Sequence, residues 1–201
     1  MSLKAIAKSS TDFKVLEQGT HLAICNAVIG VGLQDTPWGA KEKVYIRWEV
    51  PSERVEFEKD GQEFDAPLTI WANYTNSLSN KANLRHVLEG WLGRTFTREE
   101  VLSGFELFNL VGMPCLLTVV HNESGERTYA NVLSISMVMK GQVVPPQELD
   151  PITYSPNAIA QWNDLPDWLK EKVRNQVKNE PEGEERQAEF KDDIPFGEEA
   201  A

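Results

Sequence analysis

Two short runs set aromatic rings and cations on one side of neighbouring strands. Alternate side chains of a strand share a face. In Lys43–Val50 this groups Val44, Ile46 and Trp48 and leaves Lys43, Tyr45, Arg47 and Glu49 opposite. In 68–75 it groups Leu68, Ile70, Ala72 and Tyr74 against Thr69, Trp71 and Asn73. With the apolar sets turned into a core, Lys43, Tyr45, Arg47, Thr69, Trp71 and Asn73 face outward. Rings flanked by cations suit unpaired bases. Every base has a π face, each stacked base contributes about 1–3 kcal/mol, and Lys and Arg hold the phosphates. The other reading of Trp71 is a cover over the core beneath the 51–66 hairpin.

The loop Gln34–Lys43 adds Trp38, held between Pro37 and Gly39 in a polar stretch that gives it little reason to be buried, with Lys41 close by. Lys81 and Arg85 stand one helical turn apart beyond the third strand and extend the phosphate track, unless they are only a solvated helix face. Catalytic signals are poor. His21, His86 and His121 are scattered, with no Cys or carboxylate at ligand spacing, so neither a metal nor a cofactor is expected. No Gly-rich phosphate loop, nucleophile elbow or Ser-His-Asp set is present. Paired carboxylates of a metal-dependent nuclease are the one enzymatic alternative.

The elements that must position these residues are mostly strands. Strand patterns run over Thr20–Val31, Lys43–Val50, Val55–Glu58, Glu63–Thr75, Pro114–His121 and Thr128–Met139. Asp60-Gly61 marks a hairpin turn between Phe57 and Phe64. Between the third and fourth long strands the period changes. Ala82, Leu84, Val87, Leu88, Trp91 and Leu92 recur at helical spacing, with Ser79 or Asn80 as cap and Gly93 at the end. Thr97 and Glu100 form a capping box for a second helix that ends near Gly104. Five main strands with a helix between the third and fourth is the order of an OB-fold, a Greek-key barrel that binds oligonucleotides across strands two and three. The fold expected is therefore mainly β: a five-stranded OB-fold-like barrel with an inserted hairpin.

The expected organisation is a flexible N-terminus (1–12), the barrel (13–140), a proline-rich linker and packed helix (141–178), and a disordered acidic tail (179–201). The last helix takes Asp164 as N-cap and Pro166 in its first turn, with Leu165, Trp168, Leu169, Val173 and Val177 along one side. That stripe covers either its own barrel or a neighbouring subunit.

The net charge of −11 argues against a broad phosphate-binding face. Its distribution narrows the objection, because residues 151–201 hold 12 acidic and 6 basic side chains. Any nucleic-acid site must then be a local basic strip. Cys25 and Cys115 sit in apolar runs, as buried thiols of a reducing compartment do. No signal sequence opens the chain and no apolar run approaches the roughly 20 residues of a membrane span, so a cytosolic protein is expected.

The tail holds one more candidate site. Lys191-Asp192-Asp193-Ile194-Pro195-Phe196 ends a run too polar to bury itself, which leaves Ile194 and Phe196 on a solvated tether. These residues resemble the C-terminal tip of bacterial single-stranded DNA-binding proteins, which recruits replication and repair enzymes. There the tip ends at the Phe carboxylate, whereas here Gly197–Ala201 follow. The body resembles a family of phage or prophage proteins associated with replication and thought to bind single-stranded DNA. The likeness rests on Gly19-Thr20-His21, Trp38-Gly39, Ile46-Arg47-Trp48-Glu49, Tyr74-Thr75-Asn76-Ser77-Leu78, Gly90-Trp91-Leu92-Gly93-Arg94 and Tyr129-Ala130-Asn131-Val132. It implies an OB-fold that coats DNA during replication or recombination in a bacterial host, without catalysis. The DNA-contact set is then Trp38, Lys41, Lys43, Tyr45, Arg47, Trp71, Asn73, Lys81 and Arg85. The partner-binding set is Asp192, Asp193, Ile194, Pro195 and Phe196. The rival expectation is a β-barrel that grips another protein through its hairpin and aromatic loop.

Overall fold

The computed structural model describes residues 14–59, 61–125, 127–156 and 161–177. Among them are six strands: β1 (Gly19–Gln34), β2 (Lys41–Lys59), β3 (Gln62–Thr75), β4 (Pro114–Ser124), β5 (Arg127–Ser136) and β6 (Ile152–Tyr154). Three α-helices accompany them: α1 (Asn83–Leu92), α2 (Arg98–Ser103) and α3 (Asp167–Arg174). The fold is mainly β, as the alternation of apolar residues predicts. The expected flexible N-terminus and acidic tail lie outside the described residues.

β1 is the hub of the sheet. Its first half pairs antiparallel with β4, from Gly19 opposite Val119 to Ile24 opposite Pro114. Its second half pairs antiparallel with β2, from Ile24 opposite Glu49 to Gln34 opposite Lys41. The five long strands follow the order β3-β2-β1-β4-β5. A strand that gives its halves to different neighbours curls the sheet, and register shifts between Cys25 and Ala27 and between Gly30 and Gly32 add local twist. The result is an antiparallel half-barrel. Val44, Ile46, Trp48, Leu68, Ile70 and Tyr74 all point into its core, as their alternation requires.

α1 closes this core by burying Leu84, Leu88 and Trp91. Each such leucine contributes about 1.5–3 kcal/mol when fully buried. The Trp91 ring lies 5.8 Å from that of Trp48, and its indole N–H donates to the Pro114 carbonyl at 2.9 Å. Gly90 lets the helix come this close, since a Cβ there would stand 2.6 Å from the Ile135 carbonyl oxygen. Met137 then donates its N–H to the Gly90 carbonyl at 3.1 Å. That bond to a helix ends β5 at Ser136 rather than at Met139.

Other boundaries shift for equally local reasons. The two strands expected over 43–50 and 55–58 are one strand, because β2 absorbs Pro51, Ser52 and Glu53 as a bulge between Val50 opposite Leu68 and Arg54 opposite Pro67. α1 begins at Asn83 instead of following Ser79 or Asn80, since the Ala82 N–H turns back to the Ser79 carbonyl at 2.9 Å. Asp164 does not cap α3. It closes a 3-10 turn (Trp162–Asp164), and the Pro166 carbonyl accepts the first helical bonds, from Leu169 and Lys170.

The proline-rich stretch contains an element that its composition hides. β6 pairs in parallel with β1, with Ala27 opposite Ile152 and Ile29 opposite Tyr154. It takes up the edge of β1 that β4 leaves free after Ile24. A second core forms here on the outer face. Leu165, Leu169 and Val173 bury against Ala27, Ile29, Val31 and Tyr154, so the last helix covers its own sheet. Cys25 and Cys115 are buried and free, with the Cys25 thiol pushed up to about 12 by burial. Among the described residues no helix is long and apolar enough to cross a membrane.

α2 carries the expected capping box. Thr97 Oγ1 accepts from the Glu100 N–H at 3.2 Å, and the Glu100 carboxylate accepts from the Thr97 N–H at 2.9 Å. Arg94 donates to both Glu100 oxygens at 2.7 and 2.9 Å. The arginine first, and the Thr97 N–H second, lower the Glu100 carboxyl from 4.5 to about 2. A carboxyl depressed in the folded state stabilises above its unfolded value, and that stability disappears as pH falls through the folded value. Amide exchange in Arg98–Ser103 should therefore accelerate as pH drops from 4.5 toward about 2, after correction for intrinsic rates. Glu100→Gln should exchange faster at neutral pH and lose this dependence.

Candidate nucleic-acid interface

The β2–β3 ladder brings the outward residues into direct opposition. Lys43 faces Thr75, Tyr45 faces Asn73, and Arg47 faces Trp71. Lys43 Nζ donates to Thr75 Oγ1 at 2.9 Å, and the Arg47 guanidinium carbon lies 5.2 Å from the Trp71 ring centre. Asn73 is exposed. Tyr45 and Trp71 are only half exposed, because α3 lies over them.

Trp168 makes that cover. Its ring meets Tyr45 edge-on at 5.3 Å and Trp71 edge-on at 5.5 Å. Such pairs contribute about 0.5–1.5 kcal/mol beyond their area. Lys172 Nζ stands 6.0 Å from the Tyr45 ring centre. The helix is pinned at its C-terminal end, by Gln34 Nε2 donating to the Lys172 carbonyl at 3.1 Å and by the Val177 N–H, just beyond the helix, donating to the Leu33 carbonyl at 2.8 Å. Tyr45, expected as an open stacking ring, is therefore one wall of a three-ring cluster. Trp168 keeps 41% of its surface exposed and joins the candidate site. Its helical apolar stripe was visible in sequence, but nothing in that stripe identifies Tyr45 and Trp71 as its partners.

Arg47 is committed inward rather than toward solvent. Its Nε donates to Asn26 Oδ1 at 2.8 Å, and Asn26 Nδ2 donates to Glu49 Oε2 at 3.1 Å. Glu49, which alternation assigns to the outward face, is fully buried. Its two oxygens accept the Glu148 N–H at 2.7 Å and the Leu149 N–H at 3.0 Å. Segment 148–149 thus lies over the sheet as a strap, and Arg54 adds a 2.6 Å bond to Glu148 Oε1. Burial lowers the Arg47 pKa, and the Glu49 carboxylate opposes that shift.

Arg85 is also occupied. It bonds Glu89 at 3.0 Å, the Leu78 carbonyl at 3.3 Å and Asn80 Oδ1, and so shapes the β3–α1 loop instead of facing outward alone. Glu89 accepts the Phe96 N–H as well, and that bond and Arg85 hold its carboxyl below the usual range. Lys41 and Lys81 remain exposed. They share a groove of about 570 Å³ with Asn76, Ser77, Ser79 and Asn83, where the β1–β2 and β3–α1 loops run side by side. Asn76 joins the loops by donating its N–H to the Glu42 carbonyl at 2.8 Å.

Trp38 stands on the rim, 84% exposed. Its turn is rigid. The Gly39 N–H donates to the Thr36 carbonyl at 2.9 Å, and Thr36 Oγ1 donates to the Gly39 carbonyl at 2.6 Å. Gly39 sits at φ 92, where a side chain would be strained. An indole on a preformed platform loses little conformational entropy when a flat partner stacks on it.

These features define a mainly β half-barrel with a cationic groove, an open indole and a covered aromatic cluster. The chain matches no protein-family model and no curated protein. Among the described residues no three His, Cys, Asp or Glu side chains are grouped to hold a metal ion. His21 and His121 each meet a backbone carbonyl, of Glu17 and Leu16, at 2.8 Å. The tail set Asp192 to Phe196 lies outside the described residues.

Glu49→Ala would leave two strap amides and the Asn26 amide without their acceptor in the interior. Urea denaturation should show a loss of about 3 kcal/mol. Amide exchange at Glu148 and Leu149 should rise to the unprotected rate.

Proposed function

We propose that the protein is a non-enzymatic single-stranded DNA-binding protein of the OB type, a Greek-key barrel whose second and third strands carry the nucleic acid. The supporting observation is the open indole of Trp38 beside a groove bearing two uncommitted cations, Lys41 and Lys81. Trp38 stacks a base, and the two lysines take phosphates on either side of the groove. Asn73, exposed at the end of the same face, offers its amide to a base edge. Lys43 adds charge where β2 enters the loop. Trp168 presents a second stacking surface over Tyr45 and Trp71, while Arg47 supports Trp71 from below and Arg85 fixes the loop that carries Lys81.

The acidic net charge is compatible with this role because Lys41 and Lys81 are grouped in the groove, where Glu42 is the one acid of the lining and accepts from the Asn76 amide at 3.3 Å. The tail, through Asp192, Asp193, Ile194, Pro195 and Phe196, recruits replication or recombination proteins of a phage or its bacterial host in the cytoplasm. It also competes with DNA for the cationic groove, so its effect is strongest at low salt. A specific observation favours protein interaction as a second reading: Phe57 and Phe64 are exposed at the hairpin tip, remote in sequence from the groove residues.

The test is fluorescence anisotropy of a labelled oligo-dT of about 30 nucleotides, long enough for more than one OB-fold site, from low to physiological salt. Saturable binding should prefer single strand over duplex. Trp38→Ala should weaken it about five- to hundredfold, the equivalent of one stacked base at about 1–3 kcal/mol. A Lys41→Glu/Lys81→Glu variant should flatten the salt dependence, and truncation after Val177 should tighten binding at low salt. Absence of binding at low salt overturns the proposal.

A further inference from the structure

The β2–β3 hairpin has two unlike faces. Phe57 and Phe64 stand opposite each other on one face, their rings stacked at 5.5 Å and 15° from coplanar, yet 45% and 41% exposed. Val55, on the same face, packs against the main core, so the phenyl pair continues the core surface beyond its cover. On the other face Glu56 opposes Asp65, and Glu58 opposes Glu63. Like charges directly opposite destabilise a two-stranded ribbon. Arg54 answers Asp65 at 2.9 Å, but among the described residues no cation pairs with Glu56, Glu58 or Glu63.

The outer edge of this ribbon is open. Pairing of β1 with β2 ends at Glu49, so among the described residues β2 beyond its bulge has β3 as its one partner strand. Successive residues of a strand turn their N–H and C=O groups to opposite edges. The Arg54 carbonyl is turned outward, since it accepts from Lys14 Nζ at 2.9 Å and Pro67 opposite it has no N–H to offer. Glu56 and Glu58, at the next alternate positions, therefore present their backbone donors and acceptors at the open edge. The charge there selects what can pair. A second copy would bring the same carboxylates and be repelled, as charged edge strands repel one another, and nucleic acid is repelled likewise. An extended polypeptide with apolar side chains at alternate positions and Lys or Arg between them meets both faces at once.

We propose that the outer edge of β2 at Glu56–Glu58 is a docking site for a strand of a partner protein in which apolar and cationic residues alternate. The apolar set of that strand lies along Phe57 and Phe64, and its cations lie among Glu56, Glu58, Glu63 and Asp65. Backbone bonds to Glu56 and Glu58 supply affinity, and the two unlike faces supply register and selectivity. The inference gives the protein-interaction reading a class of partner. It stands whether or not the groove of Lys41 and Lys81 takes DNA, since none of its residues lines that groove.

The experiment titrates the full chain, at low salt, into a fluorescein-labelled peptide of about eight residues that alternates Val and Lys, the length of an ordinary strand. Saturable binding is expected, with amide exchange at Glu56 and Glu58 slowed about tenfold in the complex. A peptide of the same composition with its Val and Lys in separate blocks should bind about tenfold more weakly, because it cannot serve both faces. Phe57→Ser/Phe64→Ser and Glu58→Gln/Glu63→Gln should each weaken the alternating peptide about tenfold, and the phenylalanine variant should bind oligo-dT as the unaltered chain does. Equal binding of the block peptide would reduce the contact to non-specific charge and overturns the inference, as does a complex without slowed exchange at Glu56 and Glu58. Slow exchange of these amides in the protein alone would mean that the chain itself or a second copy occupies the edge, and overturns it too. None of these results bears on the oligo-dT measurement, so the two readings fail separately.

Discussion

The carboxylate of Glu49 is the point on which the rest of the structure depends. It is fully buried, so each of its lone pairs must find a donor inside the protein. The three donors come from two separate stretches: the Asn26 amide at the β1 bulge, and the backbone N–H groups of the adjacent Glu148 and Leu149. Asn26 in turn holds Arg47, whose guanidinium lies against Trp71. One acid thereby fixes the bulge, the strap and the orientation of the aromatic face. A hydrophobic residue at this position would leave the strap amides without partners, so the contact contributes to register as well as to stability.

The strap has a geometric consequence. By crossing the sheet at Glu148 and Leu149 it delivers the chain to β6, which pairs with the second half of β1. From there the chain turns through Trp162–Asp164 into α3, whose stripe falls on the outer surface of β1 and β2. The same face that carries Tyr45 and Trp71 is thus the landing site of the last helix. The cluster is rigid, and what it offers a ligand is the outer part of Trp168 together with the open groove at the loops. In the proposed DNA-binding role, the open stacking face implied by alternation is replaced by one that Trp168 covers. Two of the five candidate cations, Arg47 and Arg85, are structural supports rather than free donors.

Much of the fold was legible because it depends on local periodicity. The inward sets of β2 and β3 follow from period two, and α1 and α2 follow from apolar spacing, a terminal Gly93 and a Thr97–Glu100 box. The misses have a common cause in non-local bonding. Glu49 reads as outward by alternation and is buried because a segment a hundred residues later needs its oxygens. β5 stops early because the Met137 N–H finds a helix carbonyl. β6 is three residues long in a proline-rich run, and only the unpaired edge of β1 makes it a strand. Tyr45 loses its exposure to a tryptophan whose stripe gave no indication of the surface it would cover.

By itself the sequence determined the mainly β class, the identity of the core residues, the helix ends that carry their own caps, and an exposed Trp38, because each rests on neighbours within a few positions. Tertiary structure alone decided which polar side chains remain available. A buried donor or acceptor must be satisfied by whatever the fold brings near, and partners from distant stretches leave no local pattern. That rule withdrew Arg47, Arg85 and Glu49 from the surface and left Lys41, Lys81, Asn73 and the indole of Trp38 open to a ligand.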